Sequence, residues 1–178
     1  MKTTLIIGGA RSGKSRLAQT MALDSGREVL FVATAEARDE EMRRRIEEHR
    51  KTRPSGWTTL EATGKLGERI ARNIGRARTV VIDCVTLLVN NVFEAHGGSA
   101  DLDKEVMAEI EALIDCTRQV EADFIIVTNE VGLGIIPGDR TSRLYRDVLG
   151  RANQRLAAHA DEVLLLVAGI PLAIKKAD

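Results

Sequence analysis

Five short apolar runs, separated by longer stretches with a helical pattern, constrain the fold of this chain more than any other feature. The runs are TTLIIG at 3–8, EVLFVAT at 28–34, TVVIDC at 79–84, DFIIVT at 123–128 and EVLLLVA at 162–168. Their apolar residues are continuous rather than alternating, which is typical of strands that are covered by helices on both faces. The sequence therefore predicts an α/β fold built on a mostly parallel sheet.

A weaker candidate for a further strand is TTLEA at 58–62, and helical patterns lie between the apolar runs. Helices are predicted near 15–25, 39–51, 65–74, 86–96, 102–119 and 141–160. A length of 178 residues suits one domain, and the sequence contains no repeat, linker or low-complexity tract that would divide it. Residues 1–178 are therefore predicted to form a single domain.

The stretch GGARSGKS at 8–15 follows the first apolar run and precedes a helical pattern. It satisfies G-x-x-x-x-G-K-[ST], in which the glycines let several backbone N–H groups point at phosphate oxygens. In such a loop Lys14 reaches the β- and γ-phosphates and Ser15 offers a hydroxyl to Mg²⁺. The helix that begins near Lys14 adds its positive N-terminal end. The sequence predicts a nucleoside triphosphate site here.

A carboxylate is expected at the end of another core strand, where it holds the water shell of Mg²⁺. Asp83 ends the run TVVID and fits this role. The alternative is that Asp83 caps the following helix, because aspartate is favoured at helix N-termini. The sequence leaves both interpretations open.

The segment 36–53 is densely charged, with 13 charged residues among its 18. Such a run usually forms a solvated helix with i,i+4 ion pairs. Met42, Ile46 and His49 are spaced i, i+4 and i+7, so they share the face that should point toward the protein body. His49 is either a structural residue of that face or a nucleophile or general base directed at the nucleotide. Spacing alone does not decide between the two.

The composition limits the partners of the chain. Lys+Arg and Asp+Glu balance at 26 each and aromatic residues are only 3%, so nothing indicates a nucleic-acid or anionic-membrane surface. The apolar run 163–168 is too short to span a bilayer and the N-terminus has no signal-peptide pattern. Cys84 and Cys116 are expected to be buried free thiols. A cytoplasmic protein without nucleic-acid partners and without an integral membrane segment is therefore predicted.

The segment VGLGIIPGD at 131–139 is rich in glycine and apolar residues. Loops of this kind can cover a ligand, because binding residues are concentrated in loops that a rigid scaffold positions. A packed connection between two elements is an equal alternative.

Several stretches, in order along almost the whole chain, resemble one family. They are GGARSGKS at 8–15, EVLFVATAEARDEEMRRRIEEHRKTRP at 28–54, VVIDCVTLLVNN at 80–91, VTNEVGLGIIP at 127–137 and RDVLGRANQRLAAHADEVLLLVAGIPL at 146–172. The first is generic, whereas RIEEHRKTRP together with TNEVGLGIIP is far more specific. The chain resembles the bifunctional adenosylcobinamide kinase / adenosylcobinamide-phosphate guanylyltransferase family of cobalamin biosynthesis.

The resemblance implies two reactions with Mg²⁺ and with ATP or GTP as substrates. The first phosphorylates adenosylcobinamide. The second transfers GMP from GTP to adenosylcobinamide phosphate through a guanylyl-histidine, giving adenosylcobinamide-GDP and pyrophosphate. It also implies a RecA-like P-loop fold, a short antiparallel element at 170–175 and a homotrimer.

The resemblance further implies the functional residues. His49 matches the histidine that becomes guanylylated, Glu48 stands where some relatives have a second histidine, and Asp83 stands where family members can have glutamate. His49 and Lys14 would be catalytic, and Ser15 and Asp83 would be the metal ligands. The implied nucleotide-binding residues are Gly8, Gly9, Ala10, Arg11, Ser12, Gly13, Lys14, Ser15, Ala33, Thr34, Ala35, Arg50, Lys51, Thr52, Arg53, Glu61 and Asp83.

Three other functions compete with this interpretation. A simple P-loop small-molecule kinase would share the loop and Asp83 but would not need His49. A GTP-dependent switch usually reads guanine with Asn-Lys-x-Asp, whereas TNEV at 128–131 lacks both Lys and Asp. A nucleic-acid motor is opposed by the zero net charge and the short chain.

Overall fold

In the computed structural model, which describes residues 1–36, 40–51, 53–96 and 101–176, the elements alternate as predicted. The strands are β1 (Thr3–Gly8), β2 (Val29–Ala33), β3 (Thr58–Glu61), β4 (Thr79–Asp83), β5 (Asp123–Asn129), β6 (Glu162–Val167) and β7 (Ile170–Lys175). The helices are α1 (Lys14–Asp24), α2 (Glu40–Lys51), α3 (Leu66–Asn73), α4 (Val85–His96), α5 (Leu102–Gln119) and α6 (Arg140–His159). The predicted strands and helices are confirmed to within one or two residues.

All seven strands belong to one sheet, in the order β3-β2-β4-β5-β1-β6-β7. The pairs among the first six strands are parallel, and β6 pairs with β7 in antiparallel orientation. The antiparallel element predicted at 170–175 is therefore confirmed. The turn between these last strands uses Ala168 and Gly169 with φ of 52° and 83°, a left-handed pair that suits the twist of a two-residue hairpin.

Apolar side chains cover both faces of the sheet, which explains why the central strands lack polar alternation. On one face, residues of α3, α4, α5 and α6, among them Ile70, Leu88 and Leu113, form the larger core cluster. On the other face, Ala18 and Ala22 of α1 pack on a smaller cluster. The edge strand β3 buries only Leu60, which is why its sequence signal was weak.

The segment after β5 contains strongly exposed apolar side chains. Leu133, Ile135 and Ile136 are exposed by 85%, 97% and 71%. A packed connection within this chain is therefore wrong for these three residues, because they contact little of the fold that surrounds them. The covering of a ligand by this loop stays a prediction.

Two further expectations concern the cysteines and membrane-spanning helices. Both thiols, of Cys84 and Cys116, are free and buried, as predicted. Among the helices of the described residues, none has the length and apolar character that crossing a bilayer requires.

Candidate active site

A cleft of about 640 Å³ opens at the carboxyl ends of the parallel strands. This is the edge at which ligands bind in open α/β sheets. The lining residues come from the loop after β1, from the ends of β2, β3, β4 and β5, and from α2. They are Ala10, Arg11, Ser12, Gly13, Lys14, Ser15, Arg16, Ala33, Ala35, Arg43, Ile46, Glu47, Arg50, Arg53, Glu61, Asp83, Cys84, Leu87, Val127 and Asn129.

The loop of residues 8–15, here called the phosphate loop, needs glycine at two positions. Gly8 has φ of +158°, and a Cβ there would lie 2.5 Å from the carbonyl oxygen of Leu166. Gly13 has φ of 96° and is the N-cap of α1, without a side-chain cap. Because Gly13 makes no side-chain cap hydrogen bond, the first N–H groups of this helix remain available to an anion.

Lys14 begins α1 and lies inside the loop rather than in solvent, with only 6% of the residue exposed. Its Nζ donates to the carbonyl oxygen of Gly9 at 2.6 Å and to Oγ of Ser12 at 3.4 Å. Burial lowers the pKa of Lys14, and the nearby Cys84 and Asp83 oppose that shift. The ammonium is thus held within the loop, where phosphate oxygens would replace the Gly9 carbonyl as its acceptors.

The oxygen donors expected for Mg²⁺, Ser15 and Asp83, both line the cleft. They are hard ligands of the kind that Mg²⁺ takes, and this ion commonly uses one or two protein groups and completes its shell with waters and phosphates. The described residues contain no group of three or more His, Cys, Asp or Glu that could hold a metal by themselves. The donor set therefore fits a magnesium ion that arrives with a nucleotide.

The ends of β2 and β4 are joined by a buried side chain. Oγ1 of Thr34 donates to the carbonyl oxygen of Cys84 at 2.7 Å, and the backbone N–H of Cys84 donates to the same Oγ1 at 2.8 Å. Nδ2 of Asn91 donates to the carbonyl oxygens of Thr34 and Thr63 at 3.0 and 3.2 Å. These bonds hold Ala33 and Asp83 at neighbouring positions in the cleft wall.

Helix α2 forms the opposite wall. Arg43, Ile46, Glu47 and Arg50 line the cleft, and their spacing of i, i+3, i+4 and i+7 places them on one face. Arg50 also forms an ion pair with Glu61 at the end of β3. The charged helix is therefore not only a solvated surface, because its inward face places two arginines in the wall of the cleft.

Arg53, just beyond α2, is fixed by an aromatic pair. Its guanidinium carbon lies 4.2 Å from the centre of the Phe31 ring, and Phe31 stacks with Trp57 at 6.1 Å between ring centres. Nε of Arg53 is buried without a hydrogen-bond partner among the described residues. Burial lowers the pKa of Arg53, and Asp83 opposes this shift. This cation lies at the cleft with an unused donor, which suits an anionic ligand.

The cleft brings together most of the residues that the resemblance implies. Gly8, Gly9, Thr34 and Lys51 are not among the lining residues, and Thr34 is fully buried, so its side chain joins strands instead of facing the cleft. Thr52 and the side chain of His49 lie outside the part of the chain that the structure describes. The backbone of His49 belongs to α2, one residue before Arg50.

Several lining residues were not predicted. Arg43 and Glu47 could have been found from helical spacing with Arg50, as Ile46 was from its spacing with Met42 and His49. Asn129 is the last residue of β5, and the rule that ligands bind at carboxyl ends of parallel strands would have indicated it. Cys84 lines the cleft as well, but burial raises the pKa of its thiol to about 11, so it is not an activated nucleophile.

Comparisons with known proteins agree with this site. A family model described as cobinamide kinase / cobinamide phosphate guanyltransferase matches residues 4–174. The bifunctional adenosylcobalamin biosynthesis protein CobU of Escherichia coli strain K12 is 44% identical, covering 96% of this chain and 98% of that protein. The protein of the same name from Salmonella typhimurium is 41% identical with the same coverage. The CobP protein of Pseudomonas aeruginosa is also 41% identical, covering 96% of each.

Among solved structures, the RadB recombinase superposes with a TM-score of 0.53 at 19% identity, covering 92% of this chain and 73% of that one. At this identity the likeness concerns the fold alone. It confirms the RecA-like P-loop fold that the resemblance implied.

Proposed function

This chain belongs to the cobinamide kinase / cobinamide phosphate guanyltransferase family, and from that premise we propose that it performs both reactions on adenosylcobinamide. As a member of the family it is a bifunctional enzyme of cobalamin biosynthesis. The observation that carries the proposal is one cleft in which the phosphate loop faces the basic residues of α2. Two phosphoryl chemistries can use one nucleotide site in turn.

In the kinase step, the aminopropanol hydroxyl of adenosylcobinamide attacks the γ-phosphorus of ATP or GTP. The bond between the γ-phosphorus and the bridging oxygen breaks, and the nucleoside diphosphate leaves. Catalysis of such transfers is mostly positioning and charge stabilisation. Lys14 and the N–H groups of the phosphate loop, which connects β1 to α1, supply that stabilisation.

In the transfer step, a neutral imidazole nitrogen of His49 attacks the α-phosphorus of GTP, and pyrophosphate leaves. The phosphate oxygen of adenosylcobinamide phosphate then attacks the same phosphorus, which breaks the nitrogen–phosphorus bond and gives adenosylcobinamide-GDP. Imidazole suits the role because, with an ordinary pKa of about 6.5, it is largely neutral near pH 7. The covalent step divides one difficult displacement into two easier ones, while Arg50 and Arg53 offset phosphoryl charge.

Mg²⁺ would be held by Ser15 and Asp83 together with the nucleotide, and when bound it neutralises charge on the β- and γ-phosphates. The remaining implied contacts, from Ala33, Ala35 and Glu61, place the nucleotide against the ends of β2 and β3. The cleft contains all five of these residues in its wall.

The homotrimer and the cytoplasmic location also belong to this proposal. Two apolar surfaces support association: the loop side chains Leu133, Ile135 and Ile136, and the face of β7 that carries Leu172 and Ile174. Exposed apolar patches of this kind commonly mark protein interfaces. Light scattering of the purified chain measures its oligomeric state, and a strictly monomeric mass would contradict the trimer.

The test of the covalent step uses GTP labelled at either the α- or the γ-phosphate, with Mg²⁺ and without corrinoid. The α-label should remain on the protein in an acid-labile, base-stable form, as expected for a phosphoramidate, and the γ-label should not. His49→Asn should abolish the α-label because it removes the nucleophile.

His159→Asn is the matched control, since this histidine lies at the end of α6, where its Nε2 bonds to Oγ1 of Thr117 at 2.7 Å. It should retain the label. Normal labelling of His49→Asn would contradict the assignment. A wild-type chain that phosphorylates adenosylcobinamide but never takes the α-label would favour the P-loop kinase without a covalent step.

A further inference from the structure

We propose that a second cavity, beside the cleft, binds the amide-bearing rim of the corrin ring of adenosylcobinamide. The inference rests on the proposed function, because it takes adenosylcobinamide as the substrate. This cavity, here called the side cavity, has a volume of about 590 Å³. Its wall comes from the segments that follow β2 and β3, from the second half of α4 and from Glu109 of α5. Neither the phosphate-loop motif nor the family resemblance assigns it a role.

The reactions require more space than the cleft provides. In both steps the corrinoid must lie beside a bound nucleotide or a guanylyl group. The cleft, at about 640 Å³, has the size of a site for one small ligand, and its phosphate loop commits it to the nucleotide. Because a corrin ring with its side chains is larger than a nucleotide, the corrinoid needs a binding surface outside the cleft.

The side cavity lies next to the cleft, at the carboxyl ends of the same two strands. After β2, Ala35 lines the cleft and the next residue, Glu36, lines the side cavity. At the end of β3, Glu61 lines the cleft, and Thr63 lines the side cavity. Consecutive Cα atoms are only about 3.8 Å apart. A corrinoid in the side cavity therefore has a thin partition to cross in order to bring its aminopropanol hydroxyl to the nucleotide.

Hydrogen bonds hold this partition in place. Nδ2 of Asn91 donates to the carbonyl oxygens of Thr34 and Thr63 at 3.0 and 3.2 Å. The backbone N–H of Ala62 donates to the carbonyl oxygen of Ala33 at 2.9 Å. These bonds tie the segment after β2 to the segment after β3. A fixed partition keeps two ligands at a constant separation, which transfer of a phosphoryl group between them requires.

The charges of the side cavity oppose a second nucleotide and suit a neutral ligand. Among the described residues of its wall, the carboxylates of Glu36, Glu94 and Glu109 outnumber the one ammonium, that of Lys65. Such a surface repels a phosphate chain, but it offers acceptors to uncharged donors. The primary amides on the rim of a corrin ring are uncharged, and each carries two N–H donors and a carbonyl acceptor.

One carboxylate oxygen of this wall lacks a donor. Oε1 of Glu109 accepts from the backbone N–H of Lys65 at 2.9 Å, whereas Oε2 is buried without a hydrogen-bond partner among the described residues. A buried acceptor without a donor is unfavourable. Rotation about the last side-chain torsion, which is broad for glutamate, presents this oxygen to a donor in the cavity. An amide N–H of the corrin rim supplies that donor.

The test measures the KM for adenosylcobinamide and the KM for ATP in the kinase reaction of each chain. Ala95→Phe, at an exposed position of α4 in the side cavity, should raise the KM for adenosylcobinamide about tenfold or more, because the added ring overfills the site. Glu109→Ala should raise it about tenfold, which is the worth of a hydrogen bond to a charged group. The KM for ATP should stay unchanged in both variants.

Ala71→Phe is the matched control for the added ring. Ala71 is an exposed residue of α3 that lines neither cavity, so this variant should change neither KM. The α-label from GTP, taken up without corrinoid, should be normal in Ala95→Phe and Glu109→Ala, because it needs the cleft alone. Thermal unfolding of each variant shows that the comparison is made between folded chains.

An unchanged KM for adenosylcobinamide in both side-cavity variants, or equal rises in the KM for both substrates, would overturn the inference while leaving the proposed function intact. A parent chain that neither phosphorylates adenosylcobinamide nor takes the α-label would contradict the proposed function, and the inference with it.

Discussion

The two walls of the cleft are built in different ways. The phosphate loop lies between β1 and α1, where Lys14 is buried and Gly8 touches the backbone of β6. The opposite wall, here called the α2 segment (residues 40–51 and 53–57), is attached through polar contacts at the surface, such as the pair of Arg50 with Glu61. Among its described residues, Arg53 and Trp57 are partly buried and both contact the Phe31 ring.

This difference indicates a division of roles. A loop fixed by backbone contacts can hold phosphates in one arrangement, which suits the charge stabilisation that both reactions need. A helix held by exposed ion pairs can shift at little cost, because such pairs contribute only about 0–1 kcal/mol each. The α2 segment carries His49, which in the proposed mechanism meets first GTP and then the corrinoid phosphate.

The largest expected effect lies in the fixed wall. Lys14→Ala should lower both the kinase and the guanylyl-transfer turnover by about 10²–10³, the loss typical of removing one preorganised cationic or hydrogen-bond donor. Assays of the two reactions on the same preparation measure it. The control is Lys2→Ala. Lys2 is exposed and precedes β1, at the end of that strand far from the phosphate loop, so this variant should change neither rate. Full kinase activity of Lys14→Ala would contradict a site shared by both reactions.

The second effect compares the same substitution in the two walls. Gly8→Ala should lower the free energy of unfolding by about 2–3 kcal/mol, because its Cβ would lie 2.5 Å from the Leu166 carbonyl oxygen. Gly56→Ala in the α2 segment should change it by less than about 0.5 kcal/mol, since nothing lies within 4 Å of that Cβ. Denaturant unfolding measures both, and equal effects would remove the distinction between the walls.

The smallest effect concerns the ion pair of the α2 segment. Glu61→Gln should lower the free energy of unfolding by less than about 1 kcal/mol, because both side chains are half exposed and solvent screens the pair. The control is Glu40→Gln within α2, the helix that carries Arg50. This variant loses only exposed pairs with Arg43 and Arg44. A loss well above that of the control would mean that α2 is fixed as firmly as the phosphate loop.

Much of the fixed wall could be predicted from the sequence, because it depends on local patterns. GGARSGKS between an apolar run and a helical pattern specifies a strand, a loop and a helix that are contiguous in the chain. Asp83 was predicted as a site residue because it ends another apolar run. The order of the strands in the sheet could not be predicted from these local patterns, since strand pairing is decided by contacts between residues far apart in sequence.

The other wall depends on such distant contacts. The stack of Arg53 on Phe31 joins residues of different elements, and no periodicity indicates it. Helical spacing identified Ile46 but not Arg43, since charge alone favours a solvated face, and Arg50 was indicated only by the family resemblance. Exposure of Leu133 and Ile135 was equally unforeseen, because an apolar loop normally packs.

The most direct test of the account is to find the residue that carries GMP. The wild-type chain is incubated with GTP and Mg²⁺, digested under alkaline conditions that preserve a phosphoramidate, and mapped by mass spectrometry. The account predicts one adduct, on His49 within α2, which disappears when adenosylcobinamide phosphate is added. An adduct on any other residue, or adenosylcobinamide-GDP formed at full rate by a chain that never carries one, would contradict it.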